Sequence, residues 1–299
     1  MKEKHPQGPF VIPPAPIHHI ERKMLDIAYA QVSPAQKLDL YWPAAGNGPF
    51  PVIMVIHGGA FKGGDKRDIQ LMPMLEGLKR DYAVVSINYR MSGEARFPAL
   101  VHDVKAAIRW VRANAEQFLF DCDRIAVWGG SAGGYLALMA GVSAGIPELE
   151  DAALGNPGQP TRVQAVVAWF PPTNFLLMDA QLEASGFPQT PESAHNGPES
   201  PESLILGQQI TQIPEVVWAA NPETYIRPGL PPFFIQHGTA DDTVPYQQSL
   251  NFAAKLAAQN GLQSVNHELL LNARHADPVF EASHNVEKVL DFLDGVIKG

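Results

Sequence analysis

The sequence predicts an α/β fold in which a mostly parallel sheet of eight strands is covered by helices on both faces. Two observations carry that expectation. Short, unbroken apolar runs such as Pro51–Ile56 recur along the chain, and strands buried on both sides of a parallel sheet read this way. Between them lie longer segments with apolar residues three and four apart, and strands alternating with helices imply crossover connections.

In chain order, residues 1–22 read as an extended arm, because prolines from Pro6 to Pro16 forbid a helix. Leu25–Ala30 and Lys37–Tyr41 read as strands joined through Ser33-Pro34. Pro51–Ile56, Ala83–Ile87, Arg124–Trp128, Val163–Trp169 and Phe233–Gln236 read as buried strands, and His267–Leu271 as the last. The spacing of Leu100, Val101, Val104, Ala107, Ile108 and Val111 predicts a helix over Pro98–Phe118, with Pro98 in the first turn, where its missing N–H costs nothing. Ser131–Val142 is rich in Ala, Leu and Met. Tyr246–Gln259 is stopped by Asn260-Gly261, and Asn285–Ile297 closes the chain. From Pro171 to Pro232 the rhythm breaks into a stretch rich in Pro, Ser, Glu and Asn. It is too long for an ordinary connection and reads as a partly helical, lid-like insertion, about 171–232, in a domain spanning 23–299.

Composition narrows the function. The formal net charge of −9, with no dense Lys/Arg block, argues against nucleic acid or an anionic membrane as partner. No apolar run approaches the ~18 residues of a membrane span. Cys122 is the sole cysteine, which excludes an internal disulfide and reads as a buried, inert thiol ahead of a strand. The first twenty residues lack a basic region, an apolar run and a small-residue cleavage site in succession. A cytoplasmic location is therefore the expectation. His18-His19 has no acidic or thiol companions nearby, so no metal is expected.

The chemistry is concentrated in a few loops. Gly129-Gly130-Ser131-Ala132-Gly133 follows a strand and opens an apolar helix. A serine at such a turn has an exposed hydroxyl, and small flanking residues let the chain pass close by. His57-Gly58-Gly59-Ala60-Phe61 ends an earlier buried strand. The amides of Gly59, Ala60 and Ala132 are the expected oxyanion donors, with His57 holding the loop in shape. After Phe233–Gln236 comes His237-Gly238-Thr239-Ala240-Asp241-Asp242-Thr243-Val244-Pro245, at a strand's C-terminal end, where open α/β sheets place their sites. Either Asp241 or Asp242 can supply a catalytic acid there, or cap the next helix. The base is expected on a loop beyond that strand. His275 meets the requirement, His284 is the alternative, and His267 lies within the last strand. The order Ser, Asp, His is the one α/β hydrolases use.

Together with Asn88-Tyr89-Arg90, these motifs resemble the bacterial esterase branch near hormone-sensitive lipase, and within it the feruloyl-esterase-like and acetyl-esterase-like carbohydrate esterases. The likeness covers about Leu25 to the C-terminus. It implies an α/β-hydrolase fold and a serine esterase with no metal or organic cofactor, acting on short acyl or aromatic esters. It places the acid on Asp241 and the base on His275, completing a triad with Ser131. Two departures stand out: Ala60 replaces a third glycine, and His275 is followed by Ala276-Asp277 where many relatives have Gly-Phe. A peptidase or amidase, an acyltransferase and a non-catalytic binding protein are the competing functions on this scaffold. The arm and the insertion leave a homodimer open.

Overall fold

Alternate residues of the central strands face two different cores, which explains why their sequences are apolar without interruption. In β3 (Phe50–Ile56), Val52, Met54 and Ile56 enter one cluster while Ile53 and Val55 enter the other. The structure is a computed structural model, and it describes residues 12–299. Of the extended arm expected over residues 1–22, residues 1–11 lie outside the described part. Its remainder lies along the loop after β3, where Ala15 N–H donates to the Arg67 carbonyl at 2.7 Å.

The eight strands are β1 (Lys23–Ala28), β2 (Lys37–Tyr41), β3, β4 (Ala83–Ile87), β5 (Phe120–Gly130), β6 (Ala165–Trp169), β7 (Phe233–Gly238) and β8 (Val265–Leu270). They form one sheet in the order β1-β2-β4-β3-β5-β6-β7-β8. β2 is antiparallel to both its neighbours, and the pairs from β4 through β8 are parallel. This is the α/β-hydrolase fold. β1 begins and ends two residues before the expected Leu25–Ala30, because its register breaks between Met24 and Ile27, where Asp26 takes a φ of +60°. Cys122 also differs from expectation. It lies inside β5 and is half-buried, on the stretch where the register with β3 slips between Phe50 and Val52.

The helices are α1 (Met72–Leu75), α2 (Ala99–Ala113), α3 (Ala115–Phe118), α4 (Ala132–Val142), α5 (Met178–Ala184), α6 (Pro201–Leu206), α7 (Pro214–Ala220), α8 (Gln247–Asn260) and α9 (Ser283–Ile297). The apolar faces of α2, α4 and α8 enter one core, and those of α1 and α9 enter the other. The helix expected over Pro98–Phe118 is thus two, broken at Asn114. α8 stops at Gly261, whose φ of +85° suits a residue without a side chain. Between β6 and β7, residues 171–232 carry α5, α6 and α7. They bury Phe175, Met178, Ile205, Ile210 and Val217 in the core shared with α4.

A buried carboxylate fastens the loop after β4 to this frame. Asp103 on α2 accepts from Arg90 N–H at 2.8 Å, from Arg90 Nη2 at 2.8 Å and from Gln36 Nε2 at 2.7 Å. Removing the carboxylate leaves the half-buried Arg90 charge without its partner. Asp103→Ala is therefore expected to lower unfolding free energy by about 3 kcal/mol, read from urea denaturation followed by tryptophan fluorescence.

Candidate active site

The C-terminal ends of β3, β5, β7 and β8 bring their loops together at one edge of the sheet. Ser131 stands at the junction of β5 and α4 with φ +55° and ψ −123°, a backbone that side chains rarely adopt. The turn is too tight for anything but glycine two residues to either side of the serine. A Cβ on Gly129 would meet the Gly133 carbonyl oxygen at 2.4 Å, and a Cβ on Gly133 would meet that of Ile56 at 2.0 Å. Ser131 N–H donates to the Trp169 carbonyl at 2.9 Å, anchoring the turn to β6. The hydroxyl is left half-exposed at the helix N-terminus, where backbone dipoles favour negative charge.

His275, on the loop after β8, places Nε2 3.0 Å from Ser131 Oγ and Nδ1 2.8 Å from Asp241 Oδ2. An ionised carboxylate only accepts, so Nδ1 carries the proton and Nε2 is free to accept from the serine hydroxyl. Asp241 is buried and fully occupied. Its Oδ1 takes the Thr243 and Val244 N–H groups at 2.9 and 2.8 Å, and Oδ2 also faces His237 Nε2 at 3.3 Å. Burial pushes its carboxyl up, but the hydrogen bonds from His237 and His275 outweigh that and hold it well below the usual carboxylate range.

The alternatives lie elsewhere. Asp242 pairs with Arg274, His284 is exposed in the first turn of α9, and His267 lies in β8 with Nε2 3.2 Å from Ser249 Oγ. The loops bearing Asp241 and His275 are laced together, with Ala240 N–H on the Ala273 carbonyl at 2.9 Å and Asn272 N–H on Thr239 Oγ1 at 2.8 Å. His237 braces the acid loop from within, donating Nε2–H to the Val244 carbonyl at 2.8 Å.

The loop after β3 lies against the serine, such that a Cβ on Gly58 would come within 3.4 Å of Ser131 Cβ. Gly59 has φ +121°, and Ala60 and Phe61 keep left-handed φ values of +53° and +59° despite their side chains. The amides of Gly59 and Ala60 donate to no other group among the described residues, and that of Ala132 begins a helix, where it has no intrahelical acceptor. Gly58 N–H is held by Gln70 Oε1 at 3.0 Å. His57 stacks on Tyr89 with centroids 4.6 Å apart, and its Nδ1–H donates to the Gly58 carbonyl at 2.8 Å. Burial lowers its proton affinity. Tyr89 OH donates to the His57 carbonyl at 3.0 Å, which gives the Asn88-Tyr89-Arg90 motif a structural purpose.

Phe170 was not read from the sequence. It lies 4.7 Å from His275, ring to ring and near edge-on, with Phe280 packed behind it at the same distance. Its place directly after a buried strand, before Pro171-Pro172, is the only local signal of that role.

Residues 38–256 match the family described as BD-FAE. The chain belongs to the BD-FAE family. That stretch includes Ser131 and Asp241 and ends before His275. Among curated relatives, the chain is similar to the probable carboxylic ester hydrolase LipM of Mycobacterium tuberculosis, 32% identical over 90% of this chain and 60% of LipM. The chain spans about three fifths of the length of the curated relatives it matches first. Among solved structures, it is similar to a truncated carbohydrate esterase from gut microbiota, with 26% identity and a TM-score of 0.83 over 96% of this chain and 100% of that one. It also resembles a bifunctional GH43-CE protein of Bacteroides eggerthii, with 32% identity and a TM-score of 0.81 over 92% of this chain and 35% of the other.

The depressed carboxyl of Asp241 has a consequence for acid stability. As pH falls, the unfolded chain takes up its proton near the ordinary 3.8 while the folded carboxylate stays ionised. Its contribution is therefore complete above that value and is lost as pH falls toward the depressed one. The stability deficit of Asp241→Asn against the parent is expected to hold steady from about pH 6 to about pH 5 and to narrow as pH falls through the ordinary carboxylate range, read from urea midpoints across the series.

Proposed function

We propose that the protein is a serine carboxylesterase in which Ser131 is the nucleophile, His275 the general base and Asp241 the acid that orients it. The observation that carries this reading is the unbroken line from Ser131 Oγ through His275 to Asp241 Oδ2, at 3.0 and 2.8 Å. His275 takes the serine proton as Oγ attacks the ester carbonyl, and Asp241 stabilises the imidazolium that forms. The amides of Gly59, Ala60 and Ala132 hold the oxyanion of the tetrahedral intermediate. The alcohol leaves with the proton from His275, and water repeats the sequence on the acyl-enzyme.

Short acyl or aromatic esters, carried on decorated sugars, are the proposed substrates. The similarity to a protein described as a carbohydrate esterase supports that class. Residues 171–232 are the proposed wall over the site. Their ties to the catalytic frame support this, among them the Ala220 carbonyl accepting from Tyr135 OH on α4 at 2.7 Å.

Hydrolysis of p-nitrophenyl acetate, butyrate and octanoate tests the reading. The parent is expected to favour the shorter chains and to be silenced by a serine-directed fluorophosphonate. Ser131→Ala is expected to lower kcat by about 10³-fold or more, and retained turnover would sink the assignment. His275→Ala should be comparably impaired and His284→Ala close to the parent, with the reverse pattern moving the base. Covalent labelling without ester turnover would shift the reading to an amidase or a transferase.

A further inference from the structure

The insertion contains a buried histidine whose two ring nitrogens both face acceptors. His195 Nδ1 lies 3.0 Å from Glu202 Oε2, and Nε2 lies 2.9 Å from the Thr243 carbonyl oxygen. A neutral imidazole has one donor and one lone pair, so it can satisfy only one of these partners. The geometry therefore requires one further proton, on the imidazole or on the Glu202 carboxylate. Both side chains are almost wholly buried, at 10% and 4% exposure, so water offers little help.

The charged groups facing this histidine are Glu202 on α6 and Asp179 on α5. The Asp179 carboxylate accepts the N–H groups of His195 and Asn196, each at 2.8 Å. From the acid loop comes the Thr243 carbonyl, while Asp242 beside it is turned to Arg274. The same Thr243 presents its own N–H to Asp241 Oδ1 at 2.9 Å. A continuous chain thus runs from Glu202 through His195 and Thr243 to Asp241, and on to His275.

We propose that His195 is a positioning residue: with Glu202 it forms a proton-holding clasp that fixes the insertion to the loop presenting Asp241, and loss of the proton slackens the aim of His275. The inference rests on the triad reading above. Burial disfavours the imidazolium, but Glu202, the Thr243 carbonyl and Asp179 outweigh it and raise the proton affinity of His195 above the ordinary imidazole value. The clasp is therefore complete below the ordinary range and is lost as pH rises through the raised value. A decline of kcat on the alkaline side is therefore the mark of the clasp.

Glu202→Gln separates this from a merely structural role. A glutamine amide can donate to Nδ1 of a neutral His195, which keeps Nε2–H on Thr243 without the extra proton. The parent is expected to lose kcat toward alkaline pH, and Glu202→Gln to lack that limb. His195→Ala, checked for folding by its thermal melt, is expected to lower kcat about tenfold with a smaller change in KM. Absence of an alkaline limb in the parent, or superimposable profiles for parent and Glu202→Gln, would overturn the inference. Asp241→Asn distinguishes the two levels. Turnover like the parent's would defeat the triad reading and the inference with it, whereas an impaired Asp241→Asn beside unaltered Glu202 and His195 variants would defeat the inference alone.

Discussion

A carboxylate with no exposed side-chain surface must find in the protein what water would otherwise supply, and Asp241 does so with donors at both oxygens. Two backbone N–H groups close on Oδ1 and two imidazoles face Oδ2. Each donor has its own structural cost. The Thr243 and Val244 amides require the loop after β7 to curl back on itself, and His237 Nε2–H is shared with the Val244 carbonyl to keep it curled. The site is thus built around one buried charge, and the histidine that reaches the serine is one of the groups satisfying it.

The remainder of the site obeys a different constraint, that of close approach between backbones. Ser131 lies in a turn wedged between the Ile56 carbonyl and the start of α4, and the loop after β3 lies across it. These parts belong to β3 and β5, adjacent parallel strands at the centre of the sheet. Apolar packing on both faces of those strands holds the ends in register. Here stability and the geometry of the candidate site have the same origin.

The sequence made the central frame legible because burial on both faces leaves a strong apolar signal: β2 and β4 begin and end where their residues suggested. Ser131, Asp241 and His275 each lie in a short motif at a strand end, and the fold brings His275 within hydrogen-bonding distance of the other two. Edges were harder. β1 is displaced from its expected bounds by the bulge at Asp26, and its exposed Met24 and Leu25 give no burial pattern to read. The pieces from Ile69 to Arg80 are single turns, too short for helical periodicity. His195 sits in a polar, proline-rich stretch, and its partner Thr243 is 48 residues away. No local pattern encodes such a contact.

The hydrogen bonds lacing the loops after β7 and β8 divide the site mechanically. Asp241 and His275 ride on one cross-linked unit near the edge of the sheet, and Ser131 rides on a strand at its centre. A displacement of that edge would carry Asp241 and His275 together. With their mutual hydrogen bond kept, only the gap to the Ser131 oxygen would open, and the Asp241 carboxylate would stay buried.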